Sequence, residues 1–191
     1  MRRGNRSAVR MRTATTAGVV CFLAMSFAMS WIVGKPSAPD ETGNPADDEK
    51  DMVYLGVEGV ILQNRSNNCG PSALMMVLEY HGIKVSRGQM ERKARLARQG
   101  VSMLTLKELA QSFGLQATGW RLNLGELPHV RLPAILFVEN HHFLVLDSMG
   151  AGGSLFVRDP AIGRMRIPKK VLMDRWKGET LAFSNNTRSL E

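Results

Sequence analysis

The chain has 191 residues, of which 44% are hydrophobic and 22% are charged, and its formal net charge is +8. This length fits one domain with appendages, and the composition is that of an ordinary globular protein, which excludes a repetitive or low-complexity chain. The charge is uneven, because residues 1–35 carry six basic groups and no acid, residues 36–51 carry six acids and one lysine, and residues 52–191 are net +7.

The first predicted element is a membrane anchor at residues 14–34, a stretch of 21 positions without a charge. A helix of that length spans about 30 Å, enough to cross the hydrocarbon core of a bilayer. Five arginines lie in residues 1–13, so the positive-inside rule places that basic segment in the cytoplasm and the rest of the chain outside. We expect a single-pass protein of a bacterial inner membrane, with its folded part in the periplasm.

The alternative is a signal peptide cleaved at the small-x-small sequence Ser26-Phe-Ala28, which would release a secreted protein. We favour the uncleaved anchor because the apolar run is long for a signal peptide. Residues 35–51 form a predicted acidic linker rich in proline and glycine, residues 52–184 the folded domain, and residues 185–191 a tail.

The first half of the folded domain is predicted to be mainly helical. Val53–Leu62 alternates loosely and predicts an edge strand, and the apolar run Ala73–Tyr80 predicts a buried helix stopped by Gly82. Ser86-Arg-Gly-Gln89 is a capping-box pattern for a second helix to about residue 99, and Thr105-Leu-Lys-Glu108 is another for a third helix that ends at Gly114.

The second helix is strongly basic. A run of arginines and lysines of this kind indicates either a patch for nucleic acid or anionic lipid, or a solvated helix face. We favour the solvated face and expect no nucleic-acid partner, because no aromatic residues interleave the charges. Its basic residues are Arg87, Arg92, Lys93, Arg95 and Arg98.

The second half of the domain is predicted to be mainly strands. Pro168 is expected to open a short helix through Trp176. Three helices in one layer, followed by strands joined by short turns, indicate an α+β fold with the helical layer packed on an antiparallel sheet. The predicted strands are 115–122, 134–138, 142–147, 154–158, 164–167 and 181–183.

Cys69 is the candidate nucleophile. It lies in the first turn of the predicted buried helix, where unpaired N–H groups and the helix dipole favour a thiolate. The side-chain amide of Gln63 and the backbone N–H of Cys69 can together form an oxyanion hole. The other cysteine, Cys21, lies in the predicted anchor, so Cys69 is an unpaired thiol in an oxidising compartment, which suggests reactivity. The alternative is that Cys69 is a small buried hydrophobic residue.

Two residues of the strand half supply what a cysteine nucleophile needs. His142 follows a turn, where its side chain can face a cleft and take a proton from Cys69. Asp159 ends a later strand and can orient the imidazole. Alternatively, His141 and His142 are polar turn residues, and Asp159-Pro160 simply starts a turn. The histidines have no recognisable metal-site spacing, and we expect neither a metal nor an organic cofactor.

These motifs, in this order, resemble those of the bacteriocin-processing, double-glycine leader peptidases, a papain-like group of cysteine peptidases. The resemblance runs from about Gly59 to Phe183 and implies a papain-like form of the α+β fold. By position, Cys69 matches the family's nucleophile, Gln63 its oxyanion residue, His142 its general base and Asp159 its orienting acid. The matching segments are Gln63-x5-Cys69-Gly-Pro-Ser-Ala-Leu, His142-Phe-Leu-Val-Leu and Asp159-Pro.

The chain departs from the family in its surroundings. Many members are the N-terminal domain of a peptide-exporting ABC transporter and face the cytoplasm, whereas this sequence shows no nucleotide-binding domain and no multi-span membrane domain. Asn68 stands where transporter-linked members often have an acidic residue. We therefore expect a free-standing, membrane-anchored relative.

The resulting prediction is an exported, membrane-anchored cysteine peptidase that hydrolyses a peptide or protein substrate, with cleavage after Gly-Gly as one option and export machinery as a possible partner. One alternative is an amidase or transpeptidase that acts on cell-wall peptide. Another is a catalytically silent peptide-binding domain of the same fold. The substrate sequence and the oligomeric state are not predicted.

Overall fold

The computed structural model of the protein describes residues 52–94 and 100–185. The predicted cytoplasmic segment, anchor and linker (residues 1–51) lie outside these ranges, as do residues 186–191 of the predicted tail. Within the described ranges, no helix is both long enough and apolar enough to cross a membrane.

Helices and strands divide between the two halves of the domain as predicted. The described residues contain α1 (Cys69–Tyr80), α2 (Arg87–Ala94), α3 (Met103–Ser112) and α4 (Lys169–Arg175). Their strands are β1 (Val53–Gly56), β2 (Leu115–Arg121), β3 (Ala134–Val138), β4 (His142–Met149), β5 (Ser154–Asp159), β6 (Gly163–Pro168) and β7 (Trp176–Asn185).

The seven strands form one sheet in the order β1-β6-β5-β4-β3-β7-β2. Every neighbouring pair in this sheet is antiparallel. The α+β class with helices packed on an antiparallel sheet is therefore confirmed.

Helix α1 is the most deeply buried helix of the described residues, with every residue from Cys69 to Leu78 buried. It packs against β4 and against α3. Its C-terminus is closed by Gly82, which adopts a φ of 77°. This left-handed conformation lets the N–H of Ile83 donate to the carbonyl of Leu78 at 2.8 Å, as in a Schellman motif. The predicted stop at Gly82 is thus confirmed.

The two predicted capping boxes have different outcomes. Ser86 and Gln89 cap each other, since the Ser86 N–H donates to the Gln89 side chain at 2.9 Å and the Gln89 N–H donates to Ser86 Oγ at 3.3 Å. The prediction of a capping box that starts at Thr105 is wrong, because α3 begins at Met103 with Ser102 as its N-cap. The N–H of Thr105 donates to Ser102 Oγ at 3.1 Å, so Thr105 occupies the third helical position.

Two strand predictions need correction. Strand β1 is an edge strand as predicted, but it ends at Gly56 instead of Leu62. Gly56 has a φ of 98°, so the chain leaves the sheet there. Strand β7, predicted only at residues 181–183, starts at Trp176 and lies between β3 and β2. The first half of β7 is mostly polar, so the sequence pattern does not predict a strand there, although Trp176 and Thr180 are both buried.

Alternating residues of β4 serve two separate apolar clusters, one on each face of the sheet. Phe143 and Val145 belong to the cluster that contains Cys69 and the rest of α1. Leu144 and Leu146 belong to the second cluster, which includes Trp176. Both faces of β4 are thus packed.

Candidate active site

Cys69 is a free thiol at the start of α1 and is only 7% exposed. Burial raises the pKa of this thiol, whereas the hydrogen bond with the His142 side chain and that from the backbone N–H of Phe143 lower it. The charge of His142 and the N–H of Gly70 act in the same direction, and the net effect is a lowered pKa. The surroundings therefore favour the thiolate, the reactive form of cysteine.

His142 lies at the first position of β4, between Cys69 and Asp159. Its Nε2 is 2.8 Å from Asp159 Oδ1, which leaves Nδ1 for the sulfur of Cys69. Burial lowers the pKa of His142, but the hydrogen bonds with Asp159 and Cys69 and the charges of both residues raise it to about 9. The imidazolium form is therefore favoured at neutral pH.

Asp159 ends β5 and its side chain is 2% exposed. Its Oδ1 accepts from His142 and also, at 2.8 Å, from the N–H of Ala161, in a turn that continues through Pro160. Because Oδ1 accepts from two groups, the orientation of the Asp159 carboxylate is fixed. The carboxylate in turn fixes which imidazole nitrogen carries the proton toward it.

Gln63 precedes α1 and is attached to the same turn. Its backbone N–H donates to the carbonyl of Pro160 at 2.8 Å. Its side-chain Oε1 is buried and accepts no hydrogen bond from the described residues. The structure thus joins the segment of Gln63 to the segment that carries Asp159, and it brings Cys69, His142 and Asp159 into one hydrogen-bonded chain.

A cavity of about 340 Å³ opens beside Cys69. Its lining combines two glycines and two phenylalanines with polar side chains. The lining residues are Ser66, Asn67, Cys69, Gly70, Gly100, Val101, Phe137, Asn140, His141 and Phe143. A larger groove of about 570 Å³ lies between β2, β7 and residues 126–131, but it contains none of the site residues. We assign the substrate site by proximity to the thiol, not by cavity size.

A sequence model of the Peptidase C39 family matches residues 58–188, which is most of the chain and includes all four candidate residues. The chain belongs to the Peptidase C39 family. It is a cysteine peptidase.

Proteins similar in sequence to this chain differ in length. An uncharacterised protein of Methanothermobacter thermautotrophicus is 29% identical over 66% of this chain and 89% of its own length. The probable functional amyloid protease FapD of Pseudomonas aeruginosa is 29% identical over 73% of this chain and 70% of its own length. The Escherichia coli colicin V secretion/processing ATP-binding protein CvaB is 28% identical over 69% of this chain, which spans only 20% of CvaB.

Two solved peptidase structures share the fold. A double glycine motif protease from an AMS/PCAT transporter, solved with its leader peptide, superposes with a TM-score of 0.64 at 29% identity, over 71% of this chain and 98% of that one. The peptidase domain of Streptococcus ComA superposes with a TM-score of 0.61 at 20% identity, over 66% of this chain and 98% of that one.

The sequence predicts first-turn N–H donors to the sulfur, and the N–H of Gly70 is one of them. It does not predict the N–H of Phe143, which also stabilises the Cys69 thiolate and which no side-chain pattern indicates. It did allow that His141 is a turn residue, and the structure agrees. His141 is 72% exposed in its side chain, and its Nδ1 is 2.7 Å from the carbonyl of Glu139.

Proposed function

We propose that this C39 peptidase hydrolyses peptide bonds with Cys69 as nucleophile, His142 as general acid and base, Asp159 as the residue that orients His142, and Gln63 as a donor of the oxyanion hole. The observation that carries the proposal is the continuous chain from Asp159 through His142 to Cys69, in which the pKa of the thiol is lowered and the pKa of the imidazole is raised. These opposite shifts favour a thiolate–imidazolium pair at neutral pH.

The reaction would proceed in two stages. The Cys69 thiolate attacks the carbonyl carbon, and the negative oxygen of the tetrahedral intermediate is held by the Gln63 amide and the Cys69 N–H. His142 gives its proton to the amine as the C–N bond breaks, which leaves a thioester. Water then attacks the thioester and gives a proton to the neutral His142, and the C–S bond breaks to release the acid and restore the thiolate–imidazolium pair.

The proposed substrate is a peptide or protein with Gly-Gly before the cleaved bond. A structurally similar protein is a double glycine motif protease that binds a leader peptide. Gly70 and Gly100 form part of the wall of the cavity beside Cys69, and residues without a Cβ allow a substrate backbone to approach closely. The direct test is incubation of the wild type and of Cys69→Ala with a peptide containing Gly-Gly, followed by mass spectrometry.

The products of that reaction separate the rival functions. Hydrolysis yields two fragments, and the new carboxyl end carries one added water. A transpeptidase would instead join the acyl fragment to an added amine, and a silent peptide-binding domain would return the peptide intact. Cleavage that persists in Cys69→Ala would overturn the assignment of the nucleophile.

We also propose that the peptidase is exported and is held at the inner membrane by residues 14–34, near the export machinery that delivers its substrate. The support is the charge-free run after five arginines and before the acidic residues 36–51. A reporter enzyme that is active only outside the cytoplasm, fused after Glu191, should be active. A cytoplasmic reporter signal would overturn this topology while leaving the chemistry intact.

A further inference from the structure

The peptide group between Leu62 and Gln63 is hydrogen-bonded at both of its ends. Its carbonyl accepts from Nη2 of Arg87 at 2.7 Å, and its N–H donates to the carbonyl of Pro160 at 2.8 Å. A peptide group is planar, so two bonds on opposite edges fix its rotation about the chain. The direction in which the Gln63 side chain leaves the backbone is therefore set by Arg87 on one side and by the turn after Asp159 on the other.

The same guanidinium also lies next to the segment that leads into Cys69. Nη1 of Arg87 is 3.5 Å from Oδ1 of Asn64, and this oxygen accepts a 2.5 Å bond from Nδ2 of Asn68. Asn68 is 1% exposed and immediately precedes Cys69, so its carbonyl belongs to the peptide group that contains the Cys69 N–H. Arg87 thus contacts the segment of Gln63 directly and is linked to the peptide group before Cys69 through the hydrogen bond between Asn64 and Asn68.

We propose that Arg87 is a positioning residue that fixes the position of the Gln63 amide relative to the Cys69 N–H, so that both can donate to one oxyanion. This inference rests on the proposed function. It concerns a residue that the sequence places on a basic, solvated helix face, and that interpretation does not account for the two hydrogen-bond partners of Arg87.

The position of Arg87 in its helix supports a role outside the helix. It is the first residue of α2, where the helix dipole disfavours a positive charge. The N-terminus of α2 is already capped by Ser86 and Gln89, so the helix does not need the arginine for that purpose. A planar fork of N–H donors can reach the Leu62 carbonyl and Asn64 together, which a lysine ammonium cannot do with the same geometry.

The experiment compares Arg87→Met with Arg92→Met in the full chain. Arg92 lies on the same helix, is exposed, and loses the same charge in its variant. The substrate is a peptide with Gly-Gly before a fluorogenic amide, and active enzyme is counted by stoichiometric alkylation of Cys69.

We expect Arg87→Met to lower kcat about 10- to 100-fold with KM nearly unchanged. The reason is that a misplaced donor weakens a hydrogen bond to the oxyanion, and this bond forms only in the transition state. Arg87→Lys should fall between Arg87→Met and the wild type, and Arg92→Met should match the wild type.

Two further measurements separate positioning from a general loss of structure. Alkylation of Cys69 by iodoacetamide forms no oxyanion, so its rate and pH profile should be the same in Arg87→Met and in the wild type. Adding Arg87→Met to Gln63→Ala should cause no further loss of kcat, because residues that act through one another are not additive.

Equal kcat values for Arg87→Met and the wild type would overturn the inference alone. So would additive losses in the double variant, or an alkylation rate that falls together with kcat. A wild type that cleaves no peptide would overturn the proposed function, and the inference would fall with it.

Discussion

Asp159 bonds to His142 through the same oxygen that accepts the N–H of Ala161, so the orientation of the imidazole is tied to the turn that follows β5. Pro160, in the middle of that turn, accepts the N–H of Gln63. One turn of three residues therefore links the acid that orients the histidine to the residue proposed for the oxyanion hole. The proposed triad and oxyanion hole are parts of a single hydrogen-bonded unit.

The opposite pKa shifts of Cys69 and His142 predict a bell-shaped pH dependence of kcat/KM. The lowered pKa of Cys69 means that the thiolate persists below pH 9 and is lost only as the pH falls through the lowered value. The raised pKa of His142 means that the imidazolium is lost as the pH rises through about 9. Hydrolysis needs both forms, so kcat/KM should decline above about pH 9.

Asp159→Asn should move the alkaline limb of this profile to lower pH. The hydrogen bond with Asp159 is the largest of the contributions that raise the pKa of His142, and the charge of Asp159 adds to it. Removing the charge and weakening that bond leaves only the contributions of Cys69 to oppose burial, which lowers the pKa of His142. An alkaline limb that stays in place in Asp159→Asn would contradict the geometry found here.

His142→Ala should lower kcat by about 10²–10⁴, the usual contribution of general acid–base catalysis, and should slow alkylation of Cys69 at neutral pH. His141→Ala should change either quantity little, because His141 is exposed and bonds to the carbonyl of Glu139. The measurement is a pH profile of alkylation for both variants. A profile that shifts with His141→Ala and not with His142→Ala would reverse the assignment of the base.

The elements around the site were predictable because their signals are local. The apolar run of α1 and its closure at Gly82 depend on residues close in sequence, and so does the capping box at Ser86. The α+β order likewise follows from helical patterns preceding strand patterns. Strand β7 was largely missed because its polar start is buried only through contacts with distant strands.

The contact between His142 and Cys69 could not be read from strand alternation. Alternation assigns His142 to the face of Leu144 and Leu146, whose apolar cluster does not contain Cys69. His142 is the first residue of β4, and it nonetheless hydrogen-bonds to Cys69, which belongs to the other cluster. Only the resemblance to a family selected His142 over His141 from the sequence.

Gly70→Ala should destabilise the protein by about 1–3 kcal/mol, the usual cost of overpacking a core. A Cβ at this position would lie 2.9 Å from Cγ2 of Val101 and 3.1 Å from Cδ2 of Phe143, so either the start of α1 or these side chains would have to shift. Gly119→Ala is the matched control, because a Cβ there meets nothing within 4 Å. Thermal unfolding of both variants measures the difference, and an equal Tm for the two would show that α1 and β4 are not closely packed at Gly70.

Gln63→Ala should lower kcat by about 10²–10³, the usual cost of one lost oxyanion donor, with the fold intact. Gln63→Glu should be no better, for two reasons. It places negative charge where negative charge develops, and it puts a carboxylate where Oε1 is buried without a donor among the described residues. Steady-state kinetics with the Gly-Gly peptide and thermal unfolding separate the effect on catalysis from the effect on stability. Gln63→Glu should lower both Tm and kcat, whereas Gln63→Ala should lower mainly kcat. Near-full activity of Gln63→Ala would remove Gln63 from the oxyanion hole.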